Sequence, residues 1–322
     1  MTNSRNTEPL IEAAGLYKSY GDVIAVEDVS LQVAAGEIYG LMGPDGAGKT
    51  TTLRLLCGAL RPTSGEPSIR IAGCDLLKNT EQARTEIGYL PQRFSLYEEM
   101  TVLENIRFFA EVRGLSPQEW RPRSKQILEF VDLSEFSDRR AGHLSGGMKQ
   151  KLGLAAALVH SPRVLLLDEP TTGVDPLTRQ DFWQLIIRLA AASETNRRPA
   201  VLISTPYMDE AARCHRVAFM QHAKLKVEGS PAELRAGFQG QVLELSGRPL
   251  PLLRRLVLKD EDIQDVQMFG DRLHIHVRAG KAEHVLSRLQ DELPAHDVHI
   301  DRLRSVPPQL EDVFMSLVEG YR

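Results

Sequence analysis

The sequence predicts an α/β chain in four parts: an antiparallel β subdomain, a parallel-sheet core, a helical subdomain inserted into that core, and a small α+β domain toward the C-terminal end. Three observations predict it. Short apolar runs at residues 38–42, 164–167 and 200–204 suit strands buried on both faces. Segments of helical spacing separate these runs, the order expected of a parallel sheet with crossover helices. After Gly229 the composition shifts, and Gly237 and Gly240 mark a boundary.

From Leu10 to about Gly36 apolar residues alternate with polar ones, as in Ala25, Val26, Val29, Leu31 and Val33, and Gly21 and Asp22 interrupt the pattern as a turn. This is the antiparallel part. Residues 38–42 form the first core strand, followed by a Gly-rich loop and a helix carrying Leu53, Leu55 and Leu56. Residues 94–143 read mostly as helix, with Val102, Ile106 and Phe109 on one face and Ile127, Phe130 and Val131 on another. The core resumes at residues 164–167 and 200–204, joined by a crossover helix whose apolar face carries Phe182, Leu185, Ile186 and Leu189. The first domain spans about 10–236 and the second 241–322. In the second, residues 242–245, 265–269 and 273–277 read as strands, and Val285, Leu286, Leu289 and Leu293 keep helical spacing. Pro307 and Pro308 then precede a last helix aligned on Leu310, Val313, Phe314 and Leu317.

Bulk properties exclude several classes. An apolar content of 42% is ample for a buried core, and a net charge of -4 on 82 charged residues gives no electrostatic footprint for nucleic acid or an anionic membrane. Cys57, Cys74 and Cys214 have no C-x-x-C spacing, so neither a disulfide framework nor a zinc site is expected. The polar start, residues 1–9, lacks the apolar run of a signal peptide, and no stretch reaches the ~20 apolar residues of a membrane span. A soluble chain is expected, reaching any membrane through a partner.

The chemistry concentrates in three segments. Gly43-Pro44-Asp45-Gly46-Ala47-Gly48-Lys49-Thr50 fits the phosphate-loop pattern G-x-x-x-x-G-K-[ST], between a predicted strand and a predicted helix. Its glycines let successive N–H groups point at phosphate oxygens, and the helix dipole adds positive potential. Lys49 would reach the outer phosphates and the Thr50 hydroxyl would ligate Mg²⁺, with Thr51 beside it in the nucleotide-binding set. Second, the apolar run 164–167 ends in Asp168-Glu169. A carboxylate there can hold Mg²⁺ through its water shell, and the next can deprotonate an attacking water, which makes Asp168 the metal-side residue and Glu169 the general base. Third, Leu144-Ser145-Gly146-Gly147-Met148 opens a helix with a Ser N-cap and two glycines, a second anion site. One nucleotide cannot easily use both sites within one subunit, so two subunits sharing nucleotides at an interface is the economical reading.

Together the loop, L-S-G-G-M and L-L-L-D-E-P-T-T-G-V-D resemble the ATPase subunits of ATP-binding cassette (ABC) transporters, over roughly residues 10–234. The resemblance implies a P-loop NTPase cassette that binds ATP and Mg²⁺ and forms a head-to-tail dimer. In such a dimer each nucleotide lies between one loop and the other subunit's Ser145, Gly146 and Gly147. It further implies that Gln92 senses Mg²⁺ and lines the transmembrane contact, that Tyr20 stacks on adenine, and that Asp175 belongs to a loop coupling the two sites. The implied partners are transmembrane permease subunits and a second cassette, without nucleic acid, the chain sitting at the cytoplasmic face of the membrane. Phe94, Leu96, Tyr97 and Met100 would form part of the surface receiving the permease, or else pack the helical subdomain internally.

One position departs from the family pattern. Where a histidine normally follows the strand 200–204 to hydrogen-bond the γ-phosphate, this chain reads Ser204-Thr205-Pro206-Tyr207. Pro206 has neither a side-chain donor nor an N–H, and it suits the first position of a helix capped by Thr205. His215 and His222 lie past that helix start and are not expected to substitute. Strong binding with slow turnover is expected, with an asymmetric dimer as the arrangement that compensates. The segment Val306-Pro307-Pro308-Gln309-Leu310-Glu311-Asp312-Val313-Phe314 resembles the tail domain of drug- and antibiotic-export cassettes. The loop variant and Pro206 resemble the first cassette of two-cassette multidrug exporters. The alternative function is a non-transport ABC ATPase or a nucleotide-gated clamp with little hydrolysis. His274 and His276 share one strand face and could bind metal, but solvated surface histidines are the expected reading.

Overall fold

The computed structural model describes residues 8–93, 96–191, 198–238 and 240–319, without the side chains of 317–319. These fall into two compact units, one up to Glu228 and one from Gly229. Among the described residues no helix is long and apolar enough to cross a membrane.

In the first unit, β1 (Pro9–Tyr20) and β2 (Val23–Ala34) form the expected antiparallel hairpin, turning at Gly21 with φ 58°. Then follow β3 (Ile38–Met42), α1 (Lys49–Leu56), β4 (Ser68–Ile71), β5 (Cys74–Asp75), α2 (Thr80–Thr85) and β6 (Ile87–Leu90). The insertion holds α3 (Val102–Val112) and α4 (Pro117–Phe130), and the core returns with α5 (Gly146–Leu158), β7 (Val164–Asp168), α6 (Pro176–Ala191) and β8 (Ala200–Thr205). The unit closes with α7 (Met208–Ala211), β9 (Arg216–Gln221) and β10 (Lys224–Gly229).

The strands build a four-stranded sheet of order β2-β1-β4-β5 and a six-stranded sheet of order β10-β9-β3-β8-β7-β6. Strands β9, β3, β8, β7 and β6 pair in parallel, and β3, β7 and β8 are buried along their whole length, as their unbroken apolar runs require. Leu53, Leu55 and Leu56 of α1 share one core with Ile11 and Val33 of the antiparallel sheet and Leu41 and Leu166 of the parallel one. The amphipathic α3 buries Val102 and Ile106, while Phe109 is half-buried in an aromatic trio with Phe108 and Tyr97. Phe94 lies outside the described residues.

The register fixes where chemistry can gather. Met42 of β3 pairs with Thr205 of β8, and Ser204 pairs with Asp168 of β7. The loops leaving β3, β8 and β7 therefore emerge side by side at the carboxyl edge of the sheet, where open α/β sheets bind ligands.

The second unit begins with α8 (Pro231–Ala236), which packs with the last helix of that unit, whereas the sequence reading ended the first domain near 236. It continues with β11 (Gln241–Arg248), α9 (Leu250–Val257), β12 (Ile263–Phe269), β13 (Arg272–Val277), α10 (Ala282–Glu292), β14 (His299–Val306) and α11 (Leu310–Glu319). The sheet order is β12-β13-β11-β14. Leu243, Leu245, Leu273 and Ile275 pack on α9 and α10 through Leu253, Val257, Val285 and Leu289. The alternate positions Glu244, His274 and His276 are buried as well, and the two histidines are held by Asp312 of α11. The expected solvated histidines are thus corrected: His274 is 2% and His276 0% exposed. No group of three or more His, Cys, Asp or Glu residues suited to a metal occurs among the described residues.

Candidate active site

The loop between β3 and α1 is built by glycines that no other residue could replace. Gly43 (φ 152°) and Gly48 (φ 111°) hold conformations that side chains rarely adopt, and a Cβ would fall 2.1 Å from the Met220 carbonyl oxygen and 2.2 Å from that of Ala25. At Gly46 (φ 76°) nothing lies within 4 Å of a Cβ, so the loop is open on that side. Pro44, Asp45 and Gly46 are exposed, Ala47 is buried, and the Ala47 N–H donates to the Pro44 carbonyl at 3.2 Å.

Lys49 folds back across this loop. Its ammonium donates to the carbonyl oxygens of Gly43 (2.8 Å) and Pro44 (3.1 Å) and pairs with Glu169 Oε1 at 3.1 Å. Both members of that ion pair are buried, at 4% and 7% exposure. Glu169 Oε2 accepts from Gln92 Nε2 (3.0 Å) and from the Thr172 hydroxyl (3.4 Å). Glu169 itself stands at φ 46°, a strained position for a side-chain-bearing residue, held by its N–H donating to the Ser204 hydroxyl at 3.0 Å.

Asp168, at the end of β7, is surrounded by hydroxyl donors. Its Oδ1 accepts from Thr50 and from Ser204, each at 2.9 Å, and its Oδ2 accepts from the Tyr89 phenol at 3.3 Å. Burial, with the Asp168 charge second, pushes the Tyr89 phenol far above its usual range, so it stays a donor. Thr50 Oγ1 and Asp168 Oδ1 lie close enough for one hydrated Mg²⁺ to be held between them. Such an ion characteristically takes one or two protein oxygens and completes its shell with water and phosphate.

A cavity of about 500 Å³ opens over these groups, lined by loop residues from Asp45 to Thr51 and by Ala25, Gln92, Glu169, Thr172, Pro206 and Tyr207. That volume suits a small-molecule ligand. The structure thus brings together Lys49, Thr50, Thr51, Asp168, Glu169, Gln92 and Pro206. It does not bring in Tyr20, which ends β1 with its ring 49% exposed and Lys18 at 5.6 Å from the ring centre, outside the lining.

Ser145 caps α5, accepting from the Met148 N–H at 3.3 Å, and it and Gly146 are exposed outside this cavity. Gly147 is buried against Thr178 of α6, so closely that a Cβ there would fall 2.0 Å from the Thr178 side chain. Asp175 accepts from the Thr178 N–H at 3.0 Å, and the Thr178 hydroxyl first, with that N–H second, holds its carboxyl below the usual range.

Pro206 is not the first residue of a helix. It precedes α7, which starts at Met208, because the Thr205 hydroxyl is taken up by Glu210 and accepts from the Tyr207 N–H at 3.0 Å. His215 sits at the opposite edge of the sheet, its Nδ1 accepting from the Ile38 N–H at 3.0 Å, and His222 lies in the turn between β9 and β10. Sequence reasoning missed Ser204, Tyr89 and Thr172. Ser204 and Tyr89 reach Asp168 from other strands, and no local motif announces them. Thr172 stands three residues after Glu169 within L-L-L-D-E-P-T-T-G-V-D, which could have pointed to it.

Residues 26–172 match the ABC transporter family model, and residues 229–318 match the model of the ATP-binding protein DrrA1-3-like C-terminal domain. The chain is 36% identical over 318 residues to the probable multidrug ABC transporter ATP-binding protein YbhF of Escherichia coli (strain K12), covering 97% of this chain and 53% of that protein. It therefore spans about half the length of that relative. It is 38% identical over 315 residues to the Nod factor export ATP-binding protein I of Paraburkholderia xenovorans (strain LB400), covering 96% of this chain and 97% of the other. Among solved structures, it resembles an ATP-binding subunit of an ABC transporter (30% identity, TM-score 0.62, 70% of this chain and 92% of that one). It also resembles a dimeric bacterial ABC transporter cassette (28% identity, TM-score 0.60, 68% and 98%).

Proposed function

The chain belongs to the ABC transporter ATP-binding proteins, and from that premise we propose that it is the ATP-binding and hydrolysing subunit of an exporter. The observation that carries this reading is the convergence of Lys49, Thr50, Glu169 and Gln92 on one cavity at the carboxyl edge of the sheet, with Asp168 hydrogen-bonded to Thr50 behind it. The loop N–H groups and Lys49 bind the phosphates. Thr50 and Asp168 would hold Mg²⁺, which when bound neutralises charge developing on the phosphate oxygens. Glu169, oriented by Gln92 and Thr172, takes the proton of the attacking water. Tyr20, at the end of β1, offers an exposed ring face to the base.

The exposed Ser145 and Gly146, outside the chain's own cavity, support a role in capping the nucleotide of a second cassette. The dimeric form of the solved bacterial cassette favours the same arrangement here, and the export named for the Nod factor relative favours an export role. Permease subunits then carry the membrane-spanning part, and the chain associates peripherally through them. The surface around Leu96, Tyr97 and Met100 is the proposed receiving face; Tyr97 is 45% exposed.

Pro206 lines the cavity without a donor, so one transition-state hydrogen bond is missing, which costs about 3 kcal/mol or roughly a hundredfold in rate. The chain is accordingly assigned tight binding, slow turnover, and a partner cassette with the faster site. The test is steady-state Mg-ATP turnover of the purified chain and two variants. Glu169→Gln should lower whatever turnover exists by about a hundredfold or more, and Pro206→His should raise it by up to about a hundredfold. Rapid turnover by the unmodified chain alone, abolished by Glu169→Gln, would sink the asymmetric dimer.

A further inference from the structure

Tyr207 lines the same cavity as Lys49, Gln92 and Glu169, one residue beyond Pro206. Strand β8 lies between β3 and β7, so the segment leaving β8 emerges between the phosphate loop and Glu169. Its backbone is fixed on both sides. The Tyr207 N–H donates to the Thr205 hydroxyl at 3.0 Å, and that hydroxyl donates to the fully buried Glu210. Glu210 also accepts from Thr171, in the loop after β7, at 2.6 Å. The ring is fixed as well: the Arg179 guanidinium of α6 lies 4.7 Å from its centre, within cation–π range.

The hydroxyl of this half-buried, doubly anchored ring makes no hydrogen bond to any described residue. A phenol is a hydrogen-bond donor at neutral pH. We propose that the Tyr207 hydroxyl is the donor to the terminal phosphate of a bound nucleoside triphosphate, on the β8 side of the cavity. The inference rests on the ATP-binding reading above. It gives a site with Pro206 at this position a means of distinguishing ATP from ADP: the donor is offered one residue later, on a ring anchored by Arg179 rather than at the end of the strand. Tyr207 then acts in binding, and it does not replace the transition-state donor that Pro206 lacks.

The experiment is calorimetric titration of the full chain with Mg-ATP and Mg-ADP, comparing the unmodified protein with Tyr207→Phe and Tyr207→His. Tyr207→Phe keeps the ring over Arg179 and removes only the hydroxyl. Its ATP affinity should fall about tenfold, the usual worth of a hydrogen bond to a charged group, while ADP affinity stays within twofold. Tyr207→His returns a donor and should recover most of the ATP preference. An unchanged ATP affinity in Tyr207→Phe overturns the proposal. So does an equal loss for ATP and ADP, which is the result of disturbed ring packing. An unmodified chain that binds neither nucleotide overturns the ATP-site reading, and this inference with it.

Discussion

Both units of the chain bury carboxylates, and Asp168 and Glu169 of the first are satisfied differently from Glu244 and Asp312 of the second. In the first unit the donors to Asp168 are neutral hydroxyls, from Thr50, Ser204 and Tyr89. Those to Glu169 are Lys49, Gln92 and Thr172, all lining the 500 Å³ cavity. In the second unit Glu244 is clamped by Arg272 at 2.8 Å and by Arg304 at 2.8 and 3.0 Å. Asp312 Oδ1 there accepts from His274 (3.0 Å) and His276 (2.9 Å), and its Oδ2 accepts from the Gln309 N–H at 2.7 Å. The comparison teaches that a buried carboxylate does not by itself mark a site. A cavity opens beside Glu244, Arg272 and Arg304 too, but what distinguishes Asp168 and Glu169 is the glycine loop: Lys49, Gln92 and Thr172, the partners of Glu169, line a cavity that the loop borders, and Asp168 binds Thr50 of the same lining. Asp312 is used up in tying α11 to the sheet.

The largest effect that would separate the two roles is expected from Asp312→Ala. Removing one partner of a buried hydrogen-bonded cluster leaves His274, His276 and the Gln309 N–H without their acceptor, and should cost the second unit about 3 kcal/mol. Hydrogen exchange read amide by amide should show faster exchange on β13, β11 and α11. The slowest amides of β3, β7 and β8 should be unchanged, and so should the affinity for Mg-ATP. If Asp312→Ala weakened nucleotide binding as much as it weakened exchange protection, the assignment of a purely structural role to this cluster would fall.

How much of this was legible in the sequence follows from how far apart in the chain the cooperating residues lie. The phosphate loop and the Asp168-Glu169 pair are contiguous, so their residue types and flanking elements announced them directly. The contacts that make them a site are not contiguous: Thr50 reaches Asp168 across 118 residues, and Gln92 reaches Glu169 across 77. Their residue types pointed to each role, but only the sheet order brings them within hydrogen-bonding distance. The histidines were misread for the same reason. His274 and His276 have the alternation of a half-solvated strand, and nothing local reveals that Asp312, 36 residues after His276, will cover them. Strand β14 was missed because its buried and exposed positions are irregular: a register shift between Ser246 and Gly247 of β11 leaves Asp301 of β14 unpaired, between Ile300 and Arg302. The start of α7 was misplaced because Thr205, a good cap by residue type, has its hydroxyl committed to Glu210. Tyr207 lies in no motif, and it is the sheet order that brings it to the cavity.

A smaller, pH-dependent effect sharpens the comparison further. Burial pushes the Asp312 carboxyl up, but hydrogen bonds from His274, His276 and the Gln309 N–H outweigh it and hold the group well below the usual carboxylate range. Glu244 is likewise held low, burial being outweighed by Arg272 and Arg304. A carboxyl whose folded value lies below its unfolded value contributes stability that is fully present above the unfolded value, near 4, and is lost as pH falls through the folded one. Each such group gives a slope approaching 1.4 kcal/mol per pH unit within that window. Urea unfolding of the second unit, followed through the NMR signals of the His274 and His276 rings, should therefore weaken steadily from pH 4 to pH 2. Asp312→Asn should remove about half of that slope while lowering stability at pH 5. A slope identical in the variant would mean that the acid sensitivity resides in Glu244 or elsewhere, and that Asp312 is neutral in the folded chain.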